Sequence, residues 1–312
     1  MKRVLVAGAT GYLGKYLIEV LKEKGFWVRA LVRPQSMGKV KPLWVDEIFP
    51  GEVTDADTLE DLCQDMDIVI SALGLTRPKK GLGYRDVDFQ GNLNLLRQAQ
   101  AHGVEKFMYI HVLNAGFLSG IAGVQAKQDF VEKLVASPIT HQVVCPTGFF
   151  SDMTEFQNLA KAGRIYLFGR GEHRINPIHG RDLAEFCVAQ LHRPAFFANV
   201  GGPQVLTYRQ IAATAFASFG KTPYISSLPL WLIRLLLKVL APWAPAHAIQ
   251  PLQFLVAVTT QDMVGQPWGN RTLADFYRKR AKTLASNVSN KKSGYHRKPP
   301  PTKNLIVKED QP

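Results

Sequence analysis

Seven residues near the amino terminus restrict this chain more than any other feature. Gly8-Ala9-Thr10-Gly11-Tyr12-Leu13-Gly14 follows the apolar run Val4-Leu5-Val6-Ala7 and opens a stretch in which Leu13, Leu17, Ile18 and Leu21 recur at helical spacing. An extended apolar run, three glycines and a helical period in succession predict a strand, a tight turn and a helix. Glycine is needed where the chain reverses sharply, where backbone must approach a bulky anion, and where the helix packs closely on the strand. The first turn of such a helix offers free N–H groups and the positive end of its dipole to a diphosphate. A glycine triplet alone can be a simple turn, but this one stands between a strand and a helix, the context of a dinucleotide-binding loop. Gly8, Thr10, Gly11, Tyr12, Leu13 and Gly14 are therefore the expected diphosphate contacts.

Strand-like runs alternate with amphipathic stretches through the first half. Strands are expected at Arg3–Ala7, Trp27–Val32, Val45–Phe49, Ile68–Ala72, Phe107–Ile110 and Gln142–Cys145, with helices near 12–24, 56–64, 86–102 and 124–136. Since crossovers between parallel strands are right-handed, this order predicts an α/β fold with a doubly wound parallel Rossmann sheet. After Pro146 the pattern becomes mixed. The expected organisation is a nucleotide-binding core over 1–150, a smaller substrate lobe over 151–285 with some segments returning to the core, and a basic disordered tail over 286–312.

The end of the second strand bears on which dinucleotide is bound. An NAD-type site places an acidic residue there for the ribose 2′-hydroxyl. This chain has Leu31-Val32-Arg33-Pro34, with Lys39 and Lys41 nearby. The planar cationic fork of Arg33 suits a 2′-phosphate, so NADP(H) is favoured over NAD(H).

The net charge of +13 would suggest a nucleic-acid partner if it were spread along the chain. Residues 271–312 carry eleven Lys/Arg against three Asp/Glu, a local +8 that leaves a mildly basic body. With no recognised module or basic patch interleaved with aromatics, a specific nucleic-acid partner is not expected. Cys63, Cys145 and Cys187 are few and widely spaced, which excludes a disulfide framework and a CxxC metal or redox site. The apolar run after Met1-Lys2-Arg3 is too short for a signal peptide, so a cytoplasmic location is the expectation. Leu228–Leu240 is strongly apolar, yet thirteen residues of helix reach only about 20 Å and cannot cross a bilayer. Its apolar content favours a core-facing helix. Arg234 and Lys238, four apart, leave peripheral membrane contact as the other reading, for which the basic tail is a second, salt-dependent candidate. Oligomeric state is not legible.

The run Val6–Gly14 resembles the atypical and extended short-chain dehydrogenase/reductases, the group that includes NmrA-like and divinyl-chlorophyllide-reductase-like proteins. The resemblance extends from Lys2 to about Leu284. It implies that Glu52 and Val53 lie in the turn contacting adenine and that Ala72, Leu73 and Gly74 line the cofactor at the end of the fourth strand, with Asn92 and Asn94 on the next helix. It also implies that Phe149–Asp152 and Asn176–His179 border the substrate cleft. The family's catalytic set is a Ser on the fifth strand and Tyr-xxx-Lys on the following helix. Here His111 stands where Ser is expected and Gly123 where Tyr is expected, and Lys127 remains. His111 and Lys127 are thus the expected catalytic residues, Lys127 also holding the nicotinamide ribose, with His111 read equally as a packed histidine. Two functions follow: reduction of a small or medium apolar substrate by an oxidoreductase, or a non-catalytic NADP(H)-binding sensor or assembly factor.

Overall fold

Alternation along the strands sorts the apolar residues onto two faces of one sheet. In the computed structural model, which describes residues 1–79, 81–240 and 242–293, the strands are β1 (Arg3–Ala7), β2 (Trp27–Val32), β3 (Glu47–Pro50), β4 (Ile68–Ser71), β5 (Lys106–Ile110), β6 (Thr140–Pro146), β7 (Ile165–Phe168), β8 (Arg174–Ile175), β9 (Phe196–Gly201), β10 (Leu206–Thr207), β11 (Ile225–Leu228) and β12 (Gln266–Pro267). The helices are α1 (Tyr12–Glu23), α2 (Asn92–Ala101), α3 (Ala122–Val135), α4 (Thr154–Ala162), α5 (Gly180–Gln190), α6 (Tyr208–Ala217), α7 (Leu230–Leu240), α8 (Ala246–Thr259) and α9 (Leu273–Ser293). Val4, Val6, Ile68 and Ile70 pack beneath α1 and α5, whereas Leu5, Ala7, Val69, Phe107 and Tyr109 face α2 and α3. Burying a large apolar side chain such as Leu17, fully enclosed in the first layer, stabilises the fold by about 1.5–3 kcal/mol.

The eight-stranded sheet runs β12-β9-β6-β5-β4-β1-β2-β3, parallel throughout, so the doubly wound Rossmann architecture is present. From β1 the chain builds outward through β2 and β3, then returns to place β4 on the other side of β1. This reversal puts a crevice at the carboxyl ends of β1 and β4. A third cluster, with Phe150, Ile165, Leu167, Ile211, Phe216 and Tyr277, lies among α4, β7, α6 and α9. After Pro146, α5, β9 and β12 rejoin the sheet, while α4, β7, β8, α6 and α9 contribute buried residues to this cluster.

Four local expectations are revised. The helix expected at 56–64 is only a 3-10 turn, Ala56–Leu59, followed by left-handed Asp61 and Asp65. Buried Arg29 donates to the carbonyls of Asp61, Leu62 and Gln64, satisfying oxygens that a helix would have bonded internally. The helix expected over 86–102 begins as a π-helical segment, Arg85–Gly91. The stretch 228–240, for which a core-facing role was favoured, contains α7, which buries no residue. Lastly, α9 continues to Ser293, so the first eight residues of the expected tail are helical, while 294–312 lie outside the described residues.

Asp182 is fully buried on α5 and ion-pairs with Arg271, which also donates its backbone N–H to the same carboxylate. This ties the sheet layer to the start of α9. Asp182→Ala is expected to destabilise the chain by about 2–3 kcal/mol, since one charged pair and one backbone bond are lost together. Urea unfolding of both proteins checks this, and a difference within error would mean that the tie is redundant.

Candidate functional site

Backbone crowding defines the entrance to the crevice. Gly8 has φ +85°, and a Cβ there would stand 2.8 Å from the carbonyl oxygen of Ala72, so the loop after β1 lies directly against the end of β4. A Cβ on Gly14 would press on the Gly8 carbonyl, which brings the first turn of α1 down onto the loop. Gly11 closes the turn with a 2.9 Å bond from its N–H to the Gly8 oxygen. Gly11 is the N-cap of α1 and no side chain caps it. The first-turn N–H groups therefore keep their capacity for an anion, and the three glycines let the loop, the end of β4 and the start of α1 close on one another.

The other residues of the loop divide by role. Leu13 is buried, so only its backbone faces the turn. Tyr12 points elsewhere: its hydroxyl accepts the Gly180 N–H at 3.1 Å and its ring packs edge-on against Tyr16 and Phe149. Ala9 is buried and Thr10 half-buried between the glycines. Arg33 is exposed immediately after β2 and makes no side-chain bond or ion pair with any described residue. Glu52 and Val53 are held in their turn from both sides. Thr58 Oγ accepts the Glu52 N–H at 2.9 Å, and Asn94 Nδ2 donates to the Val53 carbonyl at 2.9 Å. Asn92 accepts a 2.5 Å bond from Ser71 at the end of β4.

Lys127, on α3, reaches across to the segment after β4. Its Nζ lies 2.9 Å from Asp88 Oδ1, donates to the Leu73 carbonyl at 3.2 Å and lies 3.4 Å from the Tyr109 hydroxyl. Gly74 fits between these groups, because a Cβ there would be 2.9 Å from Lys127 Nζ. Burial favours loss of the lysine's charge, but the Asp88 carboxylate and the bond to Tyr109 outweigh it and raise the ammonium's pKa above its ordinary value. Lys127 is thus a fixed cation rather than a group ready to give up a proton.

His111, directly after β5, is 7% exposed, and its Nε2 lies 3.1 Å from Gln128 Oε1. A carbonyl-type oxygen as partner places the hydrogen on Nε2, which leaves the buried Nδ1 without a partner. Burial, aided by the charge of Lys127, lowers its pKa to about 4. The imidazole is therefore neutral near pH 7, with its one hydrogen committed to Gln128. The bond to Gln128 and the lowered pKa weigh against the expected acid role and toward the packed alternative.

Two residues of this region escaped the sequence reading. Asp88 is fully buried because the π-helical segment rotates it inward, and an ordinary helical period carried no sign of that. Tyr84, the helical residue that leads into that segment, lays its ring over Gly123: a Cβ on Gly123 would stand 3.1–3.2 Å from three ring atoms. A tyrosine from another segment thus stands beside the position where α3 lacks one. No local pattern announces it.

The stretches expected to border the substrate are engaged in packing. Phe150 is buried, and Asp152 accepts the Phe149 N–H at 3.0 Å. Asn176 bonds Gly202 and Gly265, and His179 Nδ1 caps α5 by accepting the Arg181 N–H. The cysteines are buried and free, and burial pushes the thiols of Cys63 and Cys145 up to about 12. A cleft of about 650 Å³ lies at the other edge of the sheet, lined in part by Phe186, Phe196, Gln266 and Trp268, and includes none of the glycine-loop residues or Lys127.

Residues 8–194 match the family described as NAD(P)H-binding. Photosystem II assembly factor Ycf39 of Synechocystis is 27% identical over 187 residues, 60% of this chain and 57% of that protein. Divinyl chlorophyllide a 8-vinyl-reductase of Arabidopsis thaliana is 26% identical over 270 residues, covering 76% of this chain and 62% of that protein. The chain therefore spans about three fifths of the length of these two relatives. Among solved structures, the NADPH-dependent quinone oxidoreductase of Escherichia coli, complexed with NADPH, superposes with a TM-score of 0.69 at 16% identity, covering 90% of this chain and 99% of that one. The family match includes the glycine loop, the β4 end and Lys127, and with that crevice at the β1/β4 reversal the chain belongs to the NAD(P)H-binding family, among the atypical short-chain dehydrogenase/reductases.

Proposed function

We propose that this chain is an NADP(H)-dependent oxidoreductase that reduces a small or medium apolar substrate at the carboxyl edge formed by β4, β5 and α3. The observation that carries the reading is Lys127, held as a buffered cation beside the β4 end, on the same sheet edge as the glycine loop. Gly8, Gly11 and Gly14 would cradle the diphosphate, Arg33 the 2′-phosphate, and Lys127 the nicotinamide ribose. When bound, the cofactor supplies the hydride, and the protein's task is to position, shield and protonate.

Proton delivery is assigned to Tyr84. His111 is neutral with its hydrogen spent on Gln128, and Lys127 is held protonated by Asp88. Burial and the charge of Asp88 raise the Tyr84 phenol above its ordinary value despite the opposing charge of Arg77, so it stays protonated near neutrality. The Tyr84 ring over Gly123, one helical turn before Lys127, would bring a phenol to this side of the helix, its hydroxyl donating a long 3.5 Å bond to the Thr76 carbonyl until substrate replaces it.

A second reading is a non-catalytic NADP(H)-binding sensor or assembly factor. The pairing of Lys127 with Asp88 favours it, because a lysine neutralised in this way also serves as a structural strut.

Three outcomes are expected. Arg33→Ala should weaken NADPH binding by about 1.5–3 kcal/mol, roughly ten- to a hundred-fold in Kd, and leave NADH affinity unchanged. Titration of both cofactors checks this, and equal NADPH affinities would remove Arg33 from the site. Against a panel of enones and quinones, Tyr84→Phe should lower kcat by about 10²–10⁴-fold while His111→Asn stays within a few-fold of wild type. The reverse order would return the proton to His111, and no NADPH oxidation by any form would favour the sensor. Between pH 6.5 and pH 4 the unfolded chain protonates His111 while the folded chain does not, so stability falls with pH across that window, by about 3 kcal/mol in full. In His111→Asn the loss on going from pH 7 to pH 4.5 should be smaller by about 2–3 kcal/mol, measured by urea unfolding.

A further inference from the structure

We propose that the pair of helices α7 and α8 docks this protein onto an anionic lipid membrane. At about 100° per residue, Leu230, Ile233 and Leu237 fall on one side of α7, and these are its half-buried positions. Leu230 packs over Gly169, where an added Cβ would come within 3.3 Å of it. The opposite side carries Trp231, Leu232, Leu235, Leu236, Val239 and Leu240, from 44% to 68% exposed, and Trp243 just beyond is 88% exposed. Nearly half the circumference of the helix is therefore apolar and uncovered, where a soluble surface scatters such residues singly. On α8, Phe254 and Leu255 are exposed as well.

Charge selects the occupant. Arg234 and Lys238 share the flank between the packed side and the uncovered side, the level at which headgroups would meet a helix lying in the interface. From Phe186 to Gln261 the chain contains no Asp or Glu, against five Lys/Arg: Arg193, Arg209, Lys221, Arg234 and Lys238. A second copy seated on α7 would bring Arg234 and Lys238 against their counterparts with no carboxylate of the helix to pair them. Anionic headgroups neutralise them instead. Tryptophans at both ends of an eleven-residue helix suit the boundary between acyl chains and headgroups, and no helix of the described residues is long and apolar enough to cross a membrane. The surface is distinct from the β1/β4 crevice and does not depend on its function.

The test uses the full chain and vesicles of phosphatidylcholine with or without phosphatidylglycerol. Wild type should float with the mixed vesicles, less so at high salt, and its tryptophan emission should shift to the blue. Leu235→Glu/Val239→Glu should reduce the bound fraction at least tenfold at unchanged melting temperature, and Arg234→Glu/Lys238→Glu should reduce it and flatten the salt dependence. Brominated acyl chains should quench wild-type emission, and Trp231→Phe/Trp243→Phe should abolish that quenching, a readout that survives if the glutamate variant fails to fold. Undiminished flotation of a folded glutamate variant would transfer binding to the basic C-terminal residues and overturn the proposal. Absence of flotation by wild type, or a self-association that the same variant abolishes, would overturn it in favour of a protein-covered face.

Discussion

Contact between backbone and backbone at the reversal of the sheet is the constraint on which the site rests. The Gly8 loop lies against the Ala72 carbonyl, and the first turn of α1 lies against Gly8, with no room for a Cβ at either glycine. Parallel strands β1 and β4 bring their carboxyl ends together, and removal of side chains from the loop lets α1 begin with its N–H groups uncovered. An anion-binding corner arises from peptide geometry alone, without a charged side chain. The remaining groups are added around that corner: the Glu52–Val53 turn clamped by Thr58 and Asn94, the Ser71–Asn92 bond, and the Lys127–Asp88 pair.

Electrostatics then separates Lys127, the one residue shared with the expected catalytic set, from His111, which stands where its serine was expected. Lys127 and His111 are close enough for one charge to influence the other, yet their environments push them in opposite directions. A carboxylate at 2.9 Å keeps the lysine charged despite burial, and that same charge, with desolvation, keeps the imidazole neutral. Neither is poised near neutral pH to exchange a proton. The Tyr84 ring lies over Gly123, one helical turn before Lys127.

The apolar surface of α7 is a different kind of feature. The loop and the Lys127 pair are explained by what they contact within the chain, whereas Trp231, Leu235 and Val239 contact too little of it to be explained in that way. Apolar content alone favoured burial for this stretch. Three half-buried positions in eleven residues suffice to anchor the helix, and the rest of its circumference is left facing outward.

By itself the sequence determined what depends on local period and on glycine. The parallel strands, α1 and the dinucleotide loop were legible because alternation, helical spacing and the absence of Cβ atoms act over a few neighbouring residues. The segment after Leu59 was not legible as non-helical, since the bonds that replace helix there come from Arg29, some thirty residues away. Asp88 and Tyr84 carry no local signal: the π-helical segment turns the one toward Lys127, and α3 brings Gly123 beneath the ring of the other. Tertiary structure alone decided the charge states at the site and the exposure of α7, because both are set by groups brought together from distant parts of the chain.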